Sequence, residues 1–185
     1  KLQMMEQWER IQKKAYPIIE SNPQKVRKDV DTLPASGTVY DIVIVDLPGS
    51  VSTTGVLSTI VNVDYVLVPI VADRFDMQST LGFTTAVMDY KAGRENIPLK
   101  EFVFFWNKVD RRVSTDIFDA YNKIMEKLEF TVLDTIIPDL NRYTKEMSLM
   151  GKPFFRSTLL PPSGKMLEGS NIDLLAAEIC EYIKL

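Results

Sequence analysis

The chain contains no histidine and a single cysteine among its 185 residues. The absence of histidine excludes histidine-ligated zinc and Ser-His-Asp triads. One cysteine, Cys180, cannot form a disulfide within the chain or a cysteine-based metal site, so we interpret it as a buried apolar residue of a helix. Carboxylate, lysine and backbone chemistry remain for any site that these residues build.

Long hydrophobic runs are also missing. No apolar run approaches the roughly 18 residues that a membrane helix needs, and the opening "KLQMMEQWER" lacks the profile of a signal peptide. We therefore expect a cytoplasmic protein without a membrane span. With 45% hydrophobic residues, the chain can bury one core, which favours a single domain over residues 1–185. The net charge of −3 neither requires nor excludes a nucleic-acid partner.

What the sequence does contain is an alternation of strand and helix patterns. Such alternation predicts an α/β fold of three layers, with a mainly parallel sheet and helices on both faces. The predicted strands are Tyr40–Asp46, Tyr65–Ile70, Phe102–Trp106 and one within "FTVLDTIIP". The predicted helices are 23–33, 54–61, 77–90, Ser114–Leu128, Leu140–Leu149 and a closing helix that opens at Ser170.

The stretch "YDIVIVDLPGS" carries the first functional signal. Its apolar residues do not alternate with polar ones, as in a parallel strand covered by helices on both faces. Asp46 follows at the carboxyl end of this strand, where ligands bind in open α/β sheets. In a nucleoside triphosphatase, an acid placed like Asp46 holds Mg²⁺ through water, and a nearby amide such as that of Gly49 senses the terminal phosphate. The alternative is that Asp46 only caps the next turn.

The second signal is "NKVD", which follows the strand "EFVFFW". The amide of Asn107 can hydrogen-bond a purine edge, and the aliphatic part of Lys108 can lie along the ring. The alternative is a polar turn that leads to Arg111 and Arg112. A third polar strand end, "IPDLN", belongs to the same carboxyl edge of the sheet.

Together these motifs resemble the later two-thirds of the ParA/MinD-type partition ATPases, especially those of plasmids and conjugative elements. The resemblance rests on "YDIVIVDLPGS", "ADRF", "NKVD" and "TIIPDLNRYTKEMSLMGKPFF", and it spans residues 16–185. It implies that Asp46 is the Walker B acid, that Pro48 and Gly49 form the switch, and that Asn107 contacts adenine. It also implies that Pro138, Asp139 and Asn141 line the second wall of the base pocket. ATP and Mg²⁺ as cofactors, an ATP-dependent homodimer, nonspecific DNA binding and a stimulatory ParB-like partner follow from the same resemblance.

One departure from the family pattern is large. The family's N-terminal strand and its glycine-rich P-loop with two lysines do not occur in these 185 residues. The Gly-Lys pairs at Gly151 and Gly164 are not followed by Ser or Thr, as a phosphate-binding loop requires. We therefore expect a fragment that begins after the P-loop and lacks triphosphatase activity by itself.

Two other classes of function remain open from the residues. In a GTPase, "DLPG" and "NKVD" would be the Asp-x-x-Gly and Asn-Lys-x-Asp motifs, and Asp110 would read guanine. A non-catalytic interaction module is the other alternative, such as a flavodoxin-like receiver or a scaffold for a partner or DNA. The receiver lacks support because the paired acids near its first strand are missing. Basic residues that could contact DNA phosphates fall in three clusters: Lys25, Arg27 and Lys28; Arg111 and Arg112; Arg142 and Lys145.

Overall fold

The computed structural model describes residues 16–33, 37–49, 55–110, 112, 114–141 and 164–185. Along the chain, the elements are α1 (Val26–Thr32), α2 (Val56–Ile60), β1 (Tyr65–Ile70), α3 (Arg74–Ala92), β2 (Glu101–Trp106), α4 (Thr115–Lys127), β3 (Thr131–Val132), α5 (Gly164–Leu167) and α6 (Ile172–Ile183). The predicted helix Leu140–Leu149 lies almost entirely outside the described residues.

Within the described residues the sheet has three parallel strands in the order β1-β2-β3. β1 and β2 pair along their whole length, from Tyr65 opposite Glu101 to Ile70 opposite Trp106. Parallel strands separated by helices are the arrangement expected of an α/β fold. The coarse fold prediction is therefore confirmed for this part of the chain.

Helices cover both faces of this small sheet. Trp106 on β2 packs edge-on against Phe118 of α4, with ring centroids 4.7 Å apart. Tyr65 on β1 meets Tyr182 of α6 in an edge contact at 6.2 Å. Tyr65 pairs with Glu101 in the register, so their side chains share one face of the sheet. Side chains alternate along a strand, and Trp106 follows Glu101 by five residues, so its side chain lies on the other face. The contacts of α4 and α6 therefore fall on opposite faces.

The core lies under α2, α3 and α4, against β2. The largest fully buried side chains include Trp106, Phe102, Phe104, Met77 and Met125. The indole Nε1 of Trp106 donates to Oδ1 of Asn122 at 3.0 Å, which satisfies its polar atom inside the core.

The helix boundaries follow from local capping. The carboxylate of Asp73 accepts hydrogen bonds from the amides of Phe75 and Asp76 at the start of α3. The hydroxyl of Ser114 accepts from the amide of Asp116, so the predicted N-cap of α4 is confirmed. Three apolar residues of the predicted buried face of this helix remain about two-fifths exposed: Ile117, Ile124 and Leu128.

The predicted strand Tyr40–Asp46 is wrong for the structure described. The segment pairs with no strand among the described residues, and Ile42, Val43 and Ile44 are 47%, 44% and 83% exposed. Among described residues, no backbone hydrogen bond joins 39–48 to another part of the chain. A strand forms only when a neighbouring strand pairs with its amides and carbonyls, and no described strand supplies that pairing here. Leu47, just after Asp46, does pack against the core.

Three further predictions need correction. The strand in "FTVLDTIIP" shortens to Thr131–Val132, because the carboxylate of Glu178 takes the amides of Asp134 and Thr135. The closing helix begins at Ile172 rather than at Ser170, because Asn171 has a left-handed φ of 58° that no helix interior accommodates. Cys180 is exposed, not buried.

Candidate functional site

The candidate site is the carboxyl edge of the sheet, where the chain leaves β2 and the segment after β3. The amide of Asn107 donates to the carbonyl of Ile70, which ties the end of β2 to the end of β1 at 2.8 Å. The amide of Ile137 donates to the carbonyl of Trp106, also at 2.8 Å. Three chain segments thus meet where the strands end.

The loops that follow these strand ends are joined directly. Val109 and Pro138 form a parallel bridge, in which the amide of Val109 donates to Ile137 and the amide of Asp139 donates to Val109, each at 3.0 Å. Pro138 is buried, Asn107 is half-buried, and Asp139 is exposed. The structure therefore places the "NKVD" and "IPDLN" segments side by side.

Lys108 occupies an unusual backbone conformation within this edge. Its φ is 51°, in the left-handed region that a lysine rarely adopts. Such strain persists only where the surrounding structure fixes the chain. The left-handed conformation of Lys108 turns the chain between Asn107 and the bridged Val109. The Lys108 side chain is exposed and makes no hydrogen bond or ion pair with any other described residue.

Asp46 and Gly49 do not join this cluster through any hydrogen bond or ion pair between described residues. Both are exposed, and a Cβ added at Gly49 would meet nothing within 4 Å. The carboxylate of Asp46 is thus open to solvent. Asn141 is exposed and lies at the last described position before residue 164.

Asp110 and Arg112 form the tightest charged contact of the edge. The Arg112 Nε lies 2.9 Å from Oδ1 and its Nη2 lies 2.5 Å from Oδ2 of Asp110, and the Arg112 amide also donates to Oδ1 at 2.9 Å. These bonds, first the guanidinium and then the amide, hold the pKa of Asp110 at about 2. The sequence prediction gave Arg112 no such role, although an acid two residues before an arginine in a turn is a usable signal.

Glu178 of α6 is a second residue that sequence reasoning missed. Burial raises the pKa of its carboxyl, but hydrogen bonds from Thr135 and Asp134 outweigh burial and lower it below the usual value. Its two oxygens hold the chain just before Ile137, at 2.6 Å from the Asp134 amide and 2.9 Å from the Thr135 amide. Glu178 thereby positions the loop that carries Pro138.

Asn107 of this edge and Asp46, which lies outside the cluster, each have side-chain chemistry that suits one part of a magnesium nucleotide. Among the described residues, the half-buried amide of Asn107 has no side-chain hydrogen bond and so keeps its donors and acceptor for a ligand. An exposed carboxylate such as Asp46 suits Mg²⁺, which retains waters and takes one or two carboxylates. The described residues contain no group of three or more His, Cys, Asp or Glu side chains that could hold a metal ion by themselves.

Two grooves lie beside α4. One, of about 680 Å³, runs between α3 and α4, and the other, of about 540 Å³, lies beside α4 and β3. Neither is lined by Asp46, Asn107 or Pro138. Among the described helices, none is both long and apolar enough to cross a membrane.

Comparison of this chain with models of protein families gave no match, and comparison with curated proteins also gave none. The function must therefore be inferred from the residues and their geometry.

Proposed function

We propose that this chain is the magnesium- and base-binding part of a ParA-like P-loop ATPase that partitions DNA. The observation that carries the proposal is the bridge between Val109 and Pro138 at the carboxyl edge of a parallel sheet. It brings Asn107 close to the Pro138 segment at the edge where ligands bind in α/β sheets. The resemblance to the partition ATPases implies that these two segments are the walls of the base pocket. A nucleotide bound there would supply the triphosphate, and its hydrolysis would drive the partitioning cycle.

The chain's own residues have separate roles in this proposal. Asn107 hydrogen-bonds the base edge, and the stem of Lys108 lies along the ring. Pro138, Asp139 and Asn141 close the other side of the base. Asp46 would hold Mg²⁺ through water, and the amide of Gly49 would respond to the terminal phosphate.

The test is ATP hydrolysis by the protein expressed from its complete gene. Asp46→Ala should lower the rate at least about 100-fold, because the metal then loses its carboxylate anchor. The matched control is Asp41→Ala, which removes an exposed acid from the same segment and should leave the rate within about twofold. The proposal fails if the unaltered protein neither binds nor hydrolyses ATP, or if both substitutions act alike.

The 185-residue chain alone should not hydrolyse ATP, since it contains no loop of the form that cradles phosphates. Turnover by this chain that Asp46→Ala abolishes would contradict that expectation. It would mean that other residues of the chain neutralise the phosphates.

Dimerisation and DNA binding are part of the same proposal. ATP should convert the complete protein into a homodimer that binds DNA without sequence preference, ready for a stimulatory ParB-like partner. Affinity for DNA should fall steeply between about 50 and 200 mM salt, because each phosphate contact releases counterions. A protein that stays monomeric with a non-hydrolysable ATP analogue, or whose DNA affinity ignores nucleotide, would instead be an interaction module.

A further inference from the structure

The ion pair between Asp110 and Arg112 bears on which purine the edge accepts. Asp110 lies three residues after Asn107, in the position from which a carboxylate reads guanine in an Asn-Lys-x-Asp motif. Its side chain is 38% exposed, so it can be reached from solvent. The question is whether its oxygens are available to a base.

Both oxygens already have donors. Oδ1 accepts from the Arg112 amide and from Nε, each at 2.9 Å, and Oδ2 accepts from Nη2 at 2.5 Å. This is the two-pronged arrangement in which arginine and carboxylate match best. A guanine would have to displace the guanidinium, because its N1–H and 2-amino group require the same two oxygens.

Adenine makes the opposite demand. It has no proton on N1 and no 2-amino group, so a bare carboxylate facing its N1 would bring two acceptors together. A guanidinium over the carboxylate cancels that charge. The same contact therefore disfavours guanine and removes a penalty against adenine.

We propose that Arg112 is the specificity-determining residue of this site, because it occupies Asp110 and so makes the base pocket favour adenine over guanine. The inference rests on the proposed nucleotide-binding function and deepens it. Arg112 acts through Asp110 and does not itself contact the reacting phosphates.

The selectivity should be moderate. The Arg112 side chain is 88% exposed, and exposed ion pairs open readily. Freeing the carboxylate should raise the ratio of GTP affinity to ATP affinity by about five- to thirtyfold, in line with the strength of hydrogen bonds between a charged group and a base.

The experiment is calorimetric titration of the complete protein with Mg·ATP and with Mg·GTP. Arg112→Ala should raise the GTP-to-ATP affinity ratio at least about fivefold, and Arg112→Lys should raise it less, since lysine keeps the charge but not the fork. Adding Asp110→Ala to Arg112→Ala should return the ratio toward that of the unaltered protein, because the freed carboxylate is then gone.

The matched control is Arg94→Ala, which removes another exposed arginine, one that stacks on Tyr90 at the end of α3. It should leave the ratio unchanged. The inference alone is overturned if ATP binds but Arg112→Ala shifts the ratio by less than about twofold, if Arg94→Ala shifts it equally, or if the shift survives loss of Asp110. If the unaltered protein binds neither nucleotide, the proposed function falls, and the inference falls with it.

Discussion

β2 and the segment Tyr40–Asp46 have similar sequences and opposite environments. Both are short apolar runs of the kind found in parallel strands, "EFVFFW" and "YDIVIVD". β2 pairs on both sides and buries Phe102, Phe104 and Trp106 almost completely. The segment Tyr40–Asp46 has no strand partner in the part of the chain that the structure describes, and Ile44 is 83% exposed. An apolar run therefore indicates that a segment can form a buried strand. Whether the strand forms depends on a neighbouring strand that pairs with it.

The largest difference in stability is expected between Trp106→Ala in β2 and Ile44→Ala in the exposed segment. Loss of the buried indole and its bond to Asn122 should lower the free energy of unfolding by about 3–5 kcal/mol. Ile44→Ala should change it by less than about 0.5 kcal/mol. Urea denaturation of the 185-residue variants measures both. Equal losses would mean that Tyr40–Asp46 is a core strand after all.

Gly55 directly precedes Val56, a fully buried residue of the core. Its φ is 92°, and an added Cβ would lie 2.6 Å from the carbonyl oxygen of Pro23. Gly55→Ala should therefore lower the free energy of unfolding by about 2 kcal/mol. Gly82→Ala is the control, because Gly82 is helical with open space around it and should gain about 0.5–1 kcal/mol. A stable Gly55→Ala variant in thermal melting would contradict the close approach.

Glu178 binds the chain just after β3. Its carboxylate accepts hydrogen bonds from the amides of Asp134 and Thr135, in place of a strand partner. Glu178→Gln retains one acceptor oxygen in place of two, so one amide of Asp134 or Thr135 loses its partner, at a cost of about 1 kcal/mol. The folded pKa of Glu178 lies below its ordinary value of 4.5. Its stabilisation is therefore fully present above pH 4.5 and is lost as pH falls through the folded pKa.

Denaturant titrations of the parent and Glu178→Gln at pH 7 and pH 3 measure this dependence. The difference in stability between the two proteins should shrink at pH 3. A difference that is independent of pH would assign the effect of the substitution to packing.

Lys108→Gly gives the smallest expected change, at the end of β2. Relief of the left-handed backbone should raise the free energy of unfolding by about 0.5 kcal/mol, since glycine accepts this φ without strain. Glu129→Gly, at φ 59° after α4, is the matched control and should gain a similar amount. Only Lys108→Gly should also weaken ATP binding by the complete protein. Equal binding by both variants would remove Lys108 from the proposed base pocket.

The elements that the sequence predicted well carry local signals. β1 was predicted with its observed bounds, because its β-branched and aromatic residues are bounded by polar residues. α4 was predicted within one residue, because Ser114 caps it and Asp116 follows in the first turn. Such signals lie within a few residues of the element they define.

The misplaced elements depend on distant partners. Nothing near residue 131 indicates that Glu178, more than forty residues later, will take the amides that would have extended β3. In the same way, the sequence does not state whether a strand lies beside Tyr40–Asp46. These predictions are wrong because tertiary contacts outweigh the local preferences of the residues.

The candidate site also contains one contact that was predicted from the sequence and one that was not. That Asn107 and Pro138 come near one another could be anticipated, because the carboxyl ends of parallel strands share one edge. The pairing of Arg112 with Asp110 was missed: the acid two residues before the arginine indicates it, but a long exposed side chain has other possible partners. The roles of Asp46, Gly49 and the base-pocket residues stay predictions.

The exposed segment Tyr40–Asp46 also bears on how the 185-residue chain behaves at high concentration. Most of its apolar side chains are exposed, and its backbone pairs with no other described residue. An apolar stretch of this kind is a template for β pairing between molecules. Asp41 and Asp46 lie at the two ends of the apolar run within this segment, and their negative charges repel a second copy, as gatekeeper residues do. The net charge of the chain, which also keeps copies apart, falls to zero at the sequence isoelectric point of about 5.1. Mildly acidic solutions should therefore favour precipitation of this chain, and neutral ones should keep it dispersed.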